Sequence, residues 1–225
     1  MTTPPLLARI RASRPASFVR RPRDLVVAGV GSIALVMSGL VARNGRVGDV
    51  ERSVFRAIND LPNAVEPFVW PVMQLGNLML GPVVALIAAI TARYRLAAAA
   101  LTVTVAKLVG ERLVKAAVER ERPSAVIDDV VTRGDSPLSG QSFVSGHLVL
   151  VVGLAAVVTP YLPGRWKVVP WLLALAVGFG RIYVGAHNPL DVVGGAGLGA
   201  LIGGLTNFAI GVPAPGRTGH DAERG

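Results

Sequence analysis

Two histidines and an aspartate lie close to several basic residues in a chain that is otherwise strongly apolar. They fall in three short segments, Lys115 to Pro123, Ser145 to His147 and Arg181 to Asp191. Ionisable side chains are costly to place at membrane depth, so their grouping at the ends of apolar runs indicates a functional site. Histidine can transfer protons or act as a nucleophile, and lysine and arginine bind anions. The sequence therefore predicts chemistry on an anionic group such as phosphate.

The first segment contains two cations that could bind one anion. Lys115 and Arg122 share a helix face, with about 10 Å of rise between them, if the helix continues to Pro123. The planar fork of arginine and the point charge of lysine both suit phosphate oxygens. The alternative is a charged helix end whose side chains extend to the membrane surface and pair with Glu111 and Glu119. For this segment alone, that alternative is favoured.

The second segment, Ser145, Gly146 and His147, comes immediately before an apolar run. A Ser-Gly pair at the start of a helix presents free backbone N–H groups and the positive end of the helix dipole, which together bind anions. A histidine at this place could donate a proton to a leaving oxygen. A serine N-cap followed by a histidine at the membrane surface explains these residues equally well.

The third segment combines Arg181, His187 and Asp191. Pro189 suits the first turn of a helix that has Asn188 as its N-cap, so Asp191 lies in that turn and can reach back to His187. An aspartate bonded to one ring nitrogen fixes the tautomer and leaves the other nitrogen as a nucleophile. For this segment the catalytic interpretation is favoured over a structural cap beside a surface histidine.

A metal site is the main alternative for the same side chains. Its ligands would come from His147, His187, Asp128, Asp129 and Asp191, but the sequence has no His-Glu-x-x-His pair or comparable ligand spacing. The surrounding cations would also repel a divalent ion. We therefore expect no metal and no other cofactor.

The composition indicates that membrane-spanning helices position these segments. Hydrophobic residues make up 52% of the 225 residues and charged residues only 16%, which is too apolar for an ordinary soluble domain. Pro71 and the Gly81-Pro82 pair predict kinks in the second apolar run. We predict an all-α bundle of six transmembrane helices, with the active site at their extracytoplasmic ends. The six runs, near the roughly 17 to 25 residues that a span requires, are 25–42, 67–92, 96–118, 148–164, 168–186 and 192–216.

Positive charge is concentrated on one side of this arrangement. The net charge of +9 would suggest a nucleic-acid partner in a soluble protein. Here the basic residues precede the first run, occupy the turns at 93–95 and 165–167, and recur in the tail, as is typical of cytoplasmic segments. We expect no nucleic-acid partner. The predicted location is the plasma (inner) membrane, with both termini cytoplasmic.

One membrane domain is expected, over residues 24–212. The basic segment 1–23 and the tail 213–225, which holds His220, are predicted to be disordered because they have few residues that could build a core. Apolar residues in segment 48–62 recur near helical spacing. This segment is either an amphipathic helix on the membrane or a cap packed over the outer face.

The three segments together resemble the motifs of the type 2 phosphatidic-acid phosphatase superfamily, which also includes bacterial acid phosphatases and vanadium haloperoxidases. The family pattern is Lys, six residues, Arg-Pro; then Pro-Ser-Gly-His; then Ser-Arg, five residues, His, three residues, Asp. Lys115 to Pro123 matches the first motif in full. The other two match except that Val144 stands where proline is usual and Gly180 where serine is usual. The resemblance covers roughly residues 50–210.

The resemblance implies a phosphatase that works without a metal. In such an enzyme His187 would attack phosphorus to form a phosphohistidine, Asp191 would orient His187, and His147 would protonate the leaving group and later activate water. The phosphoryl oxygens would be held by Lys115, Arg122, Arg181, Ser145 and the amide of Gly146. The valine at 144 could loosen the anion-binding loop, and the glycine at 180 removes a hydroxyl that could bond phosphate. An active enzyme is still expected, because the nucleophile, the acid and the cations are all present.

The expected function is hydrolysis of a lipid phosphate or pyrophosphate at the outer face of the membrane. Polyprenyl diphosphate is slightly favoured over phosphatidic acid and phosphatidylglycerol phosphate, because an outward-facing site suits recycling of a lipid carrier. The alternatives are a phosphotransferase using the same phosphohistidine, a non-catalytic lipid-phosphate binder and a transporter. A transporter should show inverted repeats, which the sequence lacks. A binder could dispense with His187 and Asp191, which are both present.

Overall fold

The computed structural model describes residues 17–134 and 136–214, and within these residues the chain folds into nine α-helices and one pair of very short strands. Helical turns of the 3-10 type connect several of the helices, at Asn63–Val65, Gln74–Gly76, Thr159–Tyr161 and Gly164–Val168. The helices are α1 (Pro22–Ala42), α2 (Asp49–Asn59), α3 (Glu66–Met73), α4 (Leu80–Ile90), α5 (Tyr94–Ala117), α6 (Pro123–Val126), α7 (Gly146–Val158), α8 (Val169–Tyr183) and α9 (Pro189–Ile210). The predicted all-α class is confirmed by this predominantly helical fold.

The two strands bring the described ends of the chain together. Strand β1 (Phe18–Val19) pairs antiparallel with β2 (Val212–Pro213). Helices α1 and α9 lead away from this pair and lie antiparallel against each other, so the start of α9 lies at the far end of the bundle. The third sequence motif, which ends at Asp191, is therefore at the opposite end from the described chain ends.

The predicted spans correspond to helical segments, but the count of six crossings is not confirmed. In the described part of the chain, α1 and α9 are long and apolar enough to cross a membrane. Helices α3 and α4 would add a third span if counted as one, although they are bent by 66° at the break between them. The other three segments are the charged α5 and the shorter α7 and α8, of 13 and 15 residues.

Helix α7 forms the centre of the bundle. All of its residues except His147 and Val158 are buried, and it packs against α5, α8 and α9. A helix that is apolar on every side requires this kind of enclosure. The second motif, which leads into α7, is consequently attached to the most enclosed element of the fold.

The outer helices expose large apolar side chains instead. On α1, Val26, Val30 and Ile33 are each more than 60% exposed, and on α4 Leu86 and Ile90 are similarly exposed. A contiguous apolar exterior of this kind would be unfavourable in water, whereas lipid is a suitable environment for it. With the apolar helices, this exterior indicates a membrane protein.

Helix α2 covers the far end of the bundle. Its fully buried Phe55 packs with Val47, Ile127 and Ile182, whereas Val50 on its other face is 81% exposed. Of the two alternatives for segment 48–62, the structure has the packed cap.

The predicted disorder of segments 1–23 and 213–225 concerns residues that lie mainly outside the described part of the chain. For residues 17–23 the prediction is wrong, because they form β1 and the start of α1, and Pro213 at the edge of the tail belongs to β2.

Glycines allow α1 and α9 to lie in close contact. A Cβ atom on Gly31 would come within 2.6 Å of the carbonyl oxygen of Gly197 and 2.7 Å of the backbone nitrogen of Leu201. A Cβ atom on Gly197 would in turn be 2.7 Å from the carbonyl oxygen of Gly31. Small residues at such contacts let helix backbones approach and pack closely in a membrane.

Replacement of Gly31 by alanine should therefore destabilise the protein, whereas the same change at Gly29 should not. The new methyl at 31 would overlap backbone atoms and lower the free energy of unfolding by about 1–3 kcal/mol. Gly29 has no atom within 4 Å of its Cβ position. Gly29→Ala therefore creates no overlap, and its only expected effect is the higher helix propensity of alanine. Thermal unfolding of both variants in detergent, followed by circular dichroism, measures the difference. Equal melting temperatures would contradict the close contact.

Candidate active site

The first turn of α9 organises the third motif. Asn188 is the N-cap and Pro189 the first helical residue, as the sequence predicts. Oδ2 of Asp191 accepts a hydrogen bond of 2.8 Å from the backbone N–H of Asn188. The same oxygen lies 3.7 Å from Nδ1 of His187, within ion-pair range but longer than a hydrogen bond. The helix start therefore fixes the aspartate with one oxygen facing the histidine ring.

His187 is enclosed in the loop between α8 and α9. The residue is only 3% exposed, and its backbone N–H donates to the carbonyl of Arg181 at 3.2 Å. Burial, aided by the charges of Arg181 and Arg122, outweighs the opposing effect of Asp191 and lowers the pKa of His187 to about 4. The ring is therefore neutral near pH 7, and one of its nitrogens carries a free electron pair.

The second motif forms the turn that leads into α7. Ser145 is the N-cap of this helix, and its backbone N–H donates to the backbone carbonyl of Asp191 at 3.0 Å. The second and third motifs are thus joined directly. The Ser145 hydroxyl is buried and has no hydrogen-bond partner among the described residues. A buried hydroxyl at the N-terminus of a helix is suited to hold an oxygen of an anion.

His147 is half-buried in the first turn of α7. A Cβ atom on Gly76 would overlap the His147 ring, so the backbone at the break between α3 and α4 lies directly against this side chain. The ring also interacts electrostatically with Arg181 and His187. The sequence predicts only kinks in the run 67–92. In the structure, the break between α3 and α4 in this run places the backbone of Gly76 beside His147, a predicted catalytic residue.

The first motif does not meet the condition for a shared helix face, which is a helix that continues to Pro123. Helix α5 ends at Ala117, and residues 118–122 are not helical, so Lys115 and Arg122 do not share a helix face. The residue before a proline avoids the helical region, which explains the extended backbone of Arg122. Two carbonyls of the stretch accept hydrogen bonds from Ser142 in place of helical N–H groups.

The three predicted phosphate-binding cations nevertheless lie in or are linked to the two histidine motifs. Arg122 donates to the carbonyl of Ala186 at 2.8 Å, beside the predicted nucleophile. Arg181 is buried, and its Nε has no partner among the residues that the structure describes. Lys115 forms a 2.7 Å ion pair with Glu111, whose carboxylate lies against Gly146 at the start of α7.

The two departures from the family pattern both have packing explanations. Val144 is fully buried among Phe143, Val149 and other apolar side chains, so its turn is held by hydrophobic contact. At Gly180 a Cβ atom would come within 2.7 Å of Met73 and 2.9 Å of Val69. The side chain of a serine at 180 would therefore point towards α3, and glycine allows α3 and α8 to approach.

Two buried charged residues of the site were missed by the sequence analysis. Nη1 of the fully buried Arg120 donates to Oδ1 of Asp191 at 3.0 Å, and Nη2 donates to Oε2 of Glu51 at 2.6 Å. Burial alone would lower the pKa of Arg120, but the two carboxylates outweigh it and the pKa is raised. In the sequence Arg120 resembles any charged residue near a helix end, and Glu51 lies 69 positions away. The fold alone brings them together.

The metal alternative gains no support from the side-chain positions. Within residues 17–134 and 136–214, no group of three or more histidine, cysteine, aspartate or glutamate side chains is arranged to hold a metal ion. Asp128 and Asp129 are exposed, beside Arg56 of α2, which binds their backbone carbonyls. The absence of a metal from the reaction remains a prediction.

The buried state of His187 should make the protein less stable in acid. Between the ordinary pKa of 6.5 and the folded value of about 4, the unfolded chain binds a proton that the folded protein does not bind. The free energy of unfolding should therefore fall as pH falls through this range, by about 3 kcal/mol in total from this residue. Unfolding of the wild type and His187→Ala between pH 7 and pH 4 isolates the contribution. A variant that is destabilised by acid as steeply as the wild type would contradict it.

Comparison with known proteins places this arrangement in a family. The sequence model of the PAP2 superfamily matches residues 83–210, and no curated protein matches the chain significantly. The crystal structure of Aquifex aeolicus LpxE is similar, with a TM-score of 0.65 and 25% identity over 71% of this chain and 95% of that chain.

A transmembrane PAP2-type phosphatidylglycerolphosphate phosphatase from Bacillus subtilis is similar in fold. Its TM-score is 0.60 with 21% identity, over 87% of this chain and 98% of that chain. The family match covers more than half of the 225 residues and includes all three motifs. The chain therefore belongs to the PAP2 superfamily, the type 2 phosphatidic-acid phosphatase superfamily that its motifs resemble.

Proposed function

We propose that this protein hydrolyses a lipid phosphate or pyrophosphate through a phosphohistidine at His187, without a metal. The observation that carries the proposal is the buried, neutral His187 ring, which faces Asp191 and lies beside Arg122 and Arg181. A neutral imidazole is a nucleophile, and the adjacent cations favour an anionic substrate. Family membership and the resemblance to a membrane lipid phosphatase support a phosphatase.

In the first step, Nε2 of His187 donates its electron pair to phosphorus while the bond from phosphorus to the leaving oxygen breaks. Nδ1–H of the ring faces Asp191, whose carboxylate stabilises the positive charge that develops on the imidazole. His147, in its protonated form, gives its proton to the leaving oxygen and becomes neutral. The lipid alcohol or lipid phosphate departs, and the phosphoryl group stays on His187.

In the second step, His147 accepts a proton from water as the water oxygen attacks phosphorus. The bond between phosphorus and Nε2 breaks, its electron pair returns to His187, and inorganic phosphate is released. Fixed positive groups stabilise the charge on the phosphoryl oxygens in both steps. We assign this role to Lys115, Arg122, Arg181, the Ser145 hydroxyl and the Gly146 amide.

An apolar groove beside the site supports a lipid substrate. It has a volume of about 660 Å³ and lies between α1, α8 and α9. Its lining includes Leu148, Ile182 and Val192, each of which directly follows a proposed site residue in the chain. An acyl or polyprenyl chain in this groove would have its phosphate end near His147, Arg181 and Asp191.

We infer that the bundle crosses the membrane six times, with the site outside and both termini in the cytoplasm. The site lies at the end of the bundle opposite β1 and β2. Basic residues lie at the end that holds these strands, as expected for a cytoplasmic face. They are Arg20, Arg21, Arg23, Arg93, Arg95, Arg165 and Lys167.

The candidate substrates are polyprenyl diphosphate, phosphatidic acid and phosphatidylglycerol phosphate. An extracytoplasmic site favours polyprenyl diphosphate by analogy, because an outward-facing site suits recycling of a lipid carrier. The Bacillus subtilis neighbour is a phosphatidylglycerolphosphate phosphatase by name, which keeps that lipid in the set.

Purified protein in detergent and EDTA should release phosphate from at least one of these lipids, and His187→Ala should reduce the rate by at least about a thousandfold. The variant lacks the attacking nitrogen but retains the cations, so lipid-phosphate binding should be largely kept. Radiolabelled phosphate from the substrate should become attached, in an acid-labile and base-stable form, to the wild type and not to His187→Ala.

His220→Ala is the matched control, because position 220 is outside all three motifs. It should retain wild-type turnover and labelling. Normal turnover by His187→Ala would rule out its role as nucleophile. Activity that is lost in EDTA and restored by one divalent ion would instead indicate a metal mechanism.

Filling the groove should impair long-chain substrates selectively. Ala196→Trp places a large ring among the groove-lining residues. It should reduce kcat/KM for a long-chain lipid phosphate by about tenfold or more, while p-nitrophenyl phosphate, which has no chain, should be hydrolysed at the wild-type rate. Ala98→Trp, the same change on an exposed face of α5 outside the groove, is the control. Equal losses on both substrates would contradict the assignment of the groove.

A further inference from the structure

We propose that Arg120 and Glu51 are positioning residues that orient the carboxylate of Asp191 and set its charge towards His187. The proposal rests on the proposed function, in which Asp191 orients the nucleophile. Arg120 lies at an unspecified position within the first motif, and Glu51 lies outside all three motifs. The family pattern therefore gives neither residue a catalytic or phosphate-binding role. They form a buried chain of ion pairs, Glu51–Arg120–Asp191, that ends at the proposed nucleophile.

The two oxygens of Asp191 have different partners. Oδ1 accepts a 3.0 Å hydrogen bond from Nη1 of Arg120. Oδ2 accepts the backbone N–H of Asn188 and faces His187. Because Arg120 holds one oxygen, the carboxylate cannot rotate away from the ring without losing a buried charged hydrogen bond.

Glu51 holds Arg120 in this position from a different helix. Its two oxygens accept hydrogen bonds from Nη1 and Nη2 of Arg120, at 3.0 and 2.6 Å. Oε1 also accepts the backbone N–H of Leu190, at 2.9 Å, in the first turn of α9. One carboxylate on α2 therefore binds both the arginine and the helix that carries Asp191.

The burial of all three side chains makes their charges interdependent. Side-chain exposure is 8% for Glu51, zero for Arg120 and zero for Asp191. One positive charge is shared between two negative ones. Loss of Arg120 would leave Asp191 more strongly attractive to a proton on His187, whereas loss of the Glu51 charge would direct Arg120 more fully towards Asp191.

The remaining charged or titratable groups that act on His187 come from three other elements. Arg122 lies in the stretch after α5, Arg181 on α8 and His147 on α7. Substitution of Arg120 or Glu51 leaves all three in place. Changes in the titration of His187 can therefore be assigned to the Glu51–Arg120–Asp191 chain.

Arg133 provides a matched comparison for a merely structural role. It is also a buried arginine, and it donates to the carbonyls of Asn59, Leu61 and Tyr183. These bonds join loops at the same end of the bundle. No hydrogen bond or ion pair links Arg133 to Asp191 or His187 within the described residues. Its loss should disturb packing without changing the charge at the site.

The test combines kinetics with nuclear magnetic resonance of the histidine rings in full-length Arg120→Met, Arg120→Lys, Glu51→Gln and Arg133→Met. The chain has three histidines, so ¹⁵N-labelled imidazole signals can be assigned with His147→Gln and His220→Gln. The pKa of His187 should rise in Arg120→Met and fall in Glu51→Gln. Both variants should lose kcat by about 10- to 100-fold with KM nearly unchanged, and Arg120→Lys should recover part of the loss.

Arg133→Met should lower the melting temperature and leave both the His187 titration and kcat at wild-type values. The proposal is overturned if Arg120 and Glu51 variants shift the His187 titration in the same direction, or if Arg133→Met reproduces their effects. If Arg120→Met does not fold, Arg120→Lys and Glu51→Gln decide the question. Absence of phosphate release by the wild type would overturn the proposed function separately, because the resonance titration requires no turnover.

Discussion

A single buried carboxylate, that of Asp191, joins the parts of this site. A charged group with no exposure is stable only when cations and hydrogen bonds replace its hydration. Asp191 obtains them from Arg120 and from the first turn of its own helix. Its backbone carbonyl also accepts the N–H of Ser145, in the turn that leads into α7. Segments that are far apart in the sequence therefore meet at one residue, whose carboxylate is held by Arg120 and whose backbone carbonyl accepts the Ser145 N–H.

Glycine in α9 allows these segments to meet. Cβ atoms at Gly195 and Gly199 would lie 2.6 Å from the carbonyl oxygen of Ser145 and 2.7 Å from that of Val149, so α7 and α9 are nearly in backbone contact. On its other side α9 lies equally close to α1, through Gly197 and Gly31. The distance between the Ser145 turn and Asp191 is thus set by helix packing. The same small-residue contact that builds the bundle also determines the geometry of the site.

The sequence predicted the features of the site that depend on neighbouring residues. Asn188 and Pro189 mark the start of α9, and Ser145 marks that of α7, because capping and proline preferences act within one turn. The predicted third span, 96–118, ends within one residue of α5, but the sequence did not decide whether the helix continues to Pro123, since the hydrogen bonds that replace the helical ones come from Ser142. Nor could it connect Glu51 with Arg120, because no local pattern links residues 69 positions apart. These contacts exist only once α2 has packed over the end of the bundle.

The distribution of charge within the site indicates where a phosphate would be most strongly stabilised. Glu111 pairs with Lys107 and Lys115, and Arg120 is neutralised by Glu51 and Asp191. Arg122 and Arg181 form no ion pair with any carboxylate among the described residues, although both are buried. Uncompensated positive charge is therefore concentrated at these two arginines. Both act electrostatically on the His187 ring, so the unpaired positive charge lies beside the proposed nucleophile, where it would stabilise an anionic substrate.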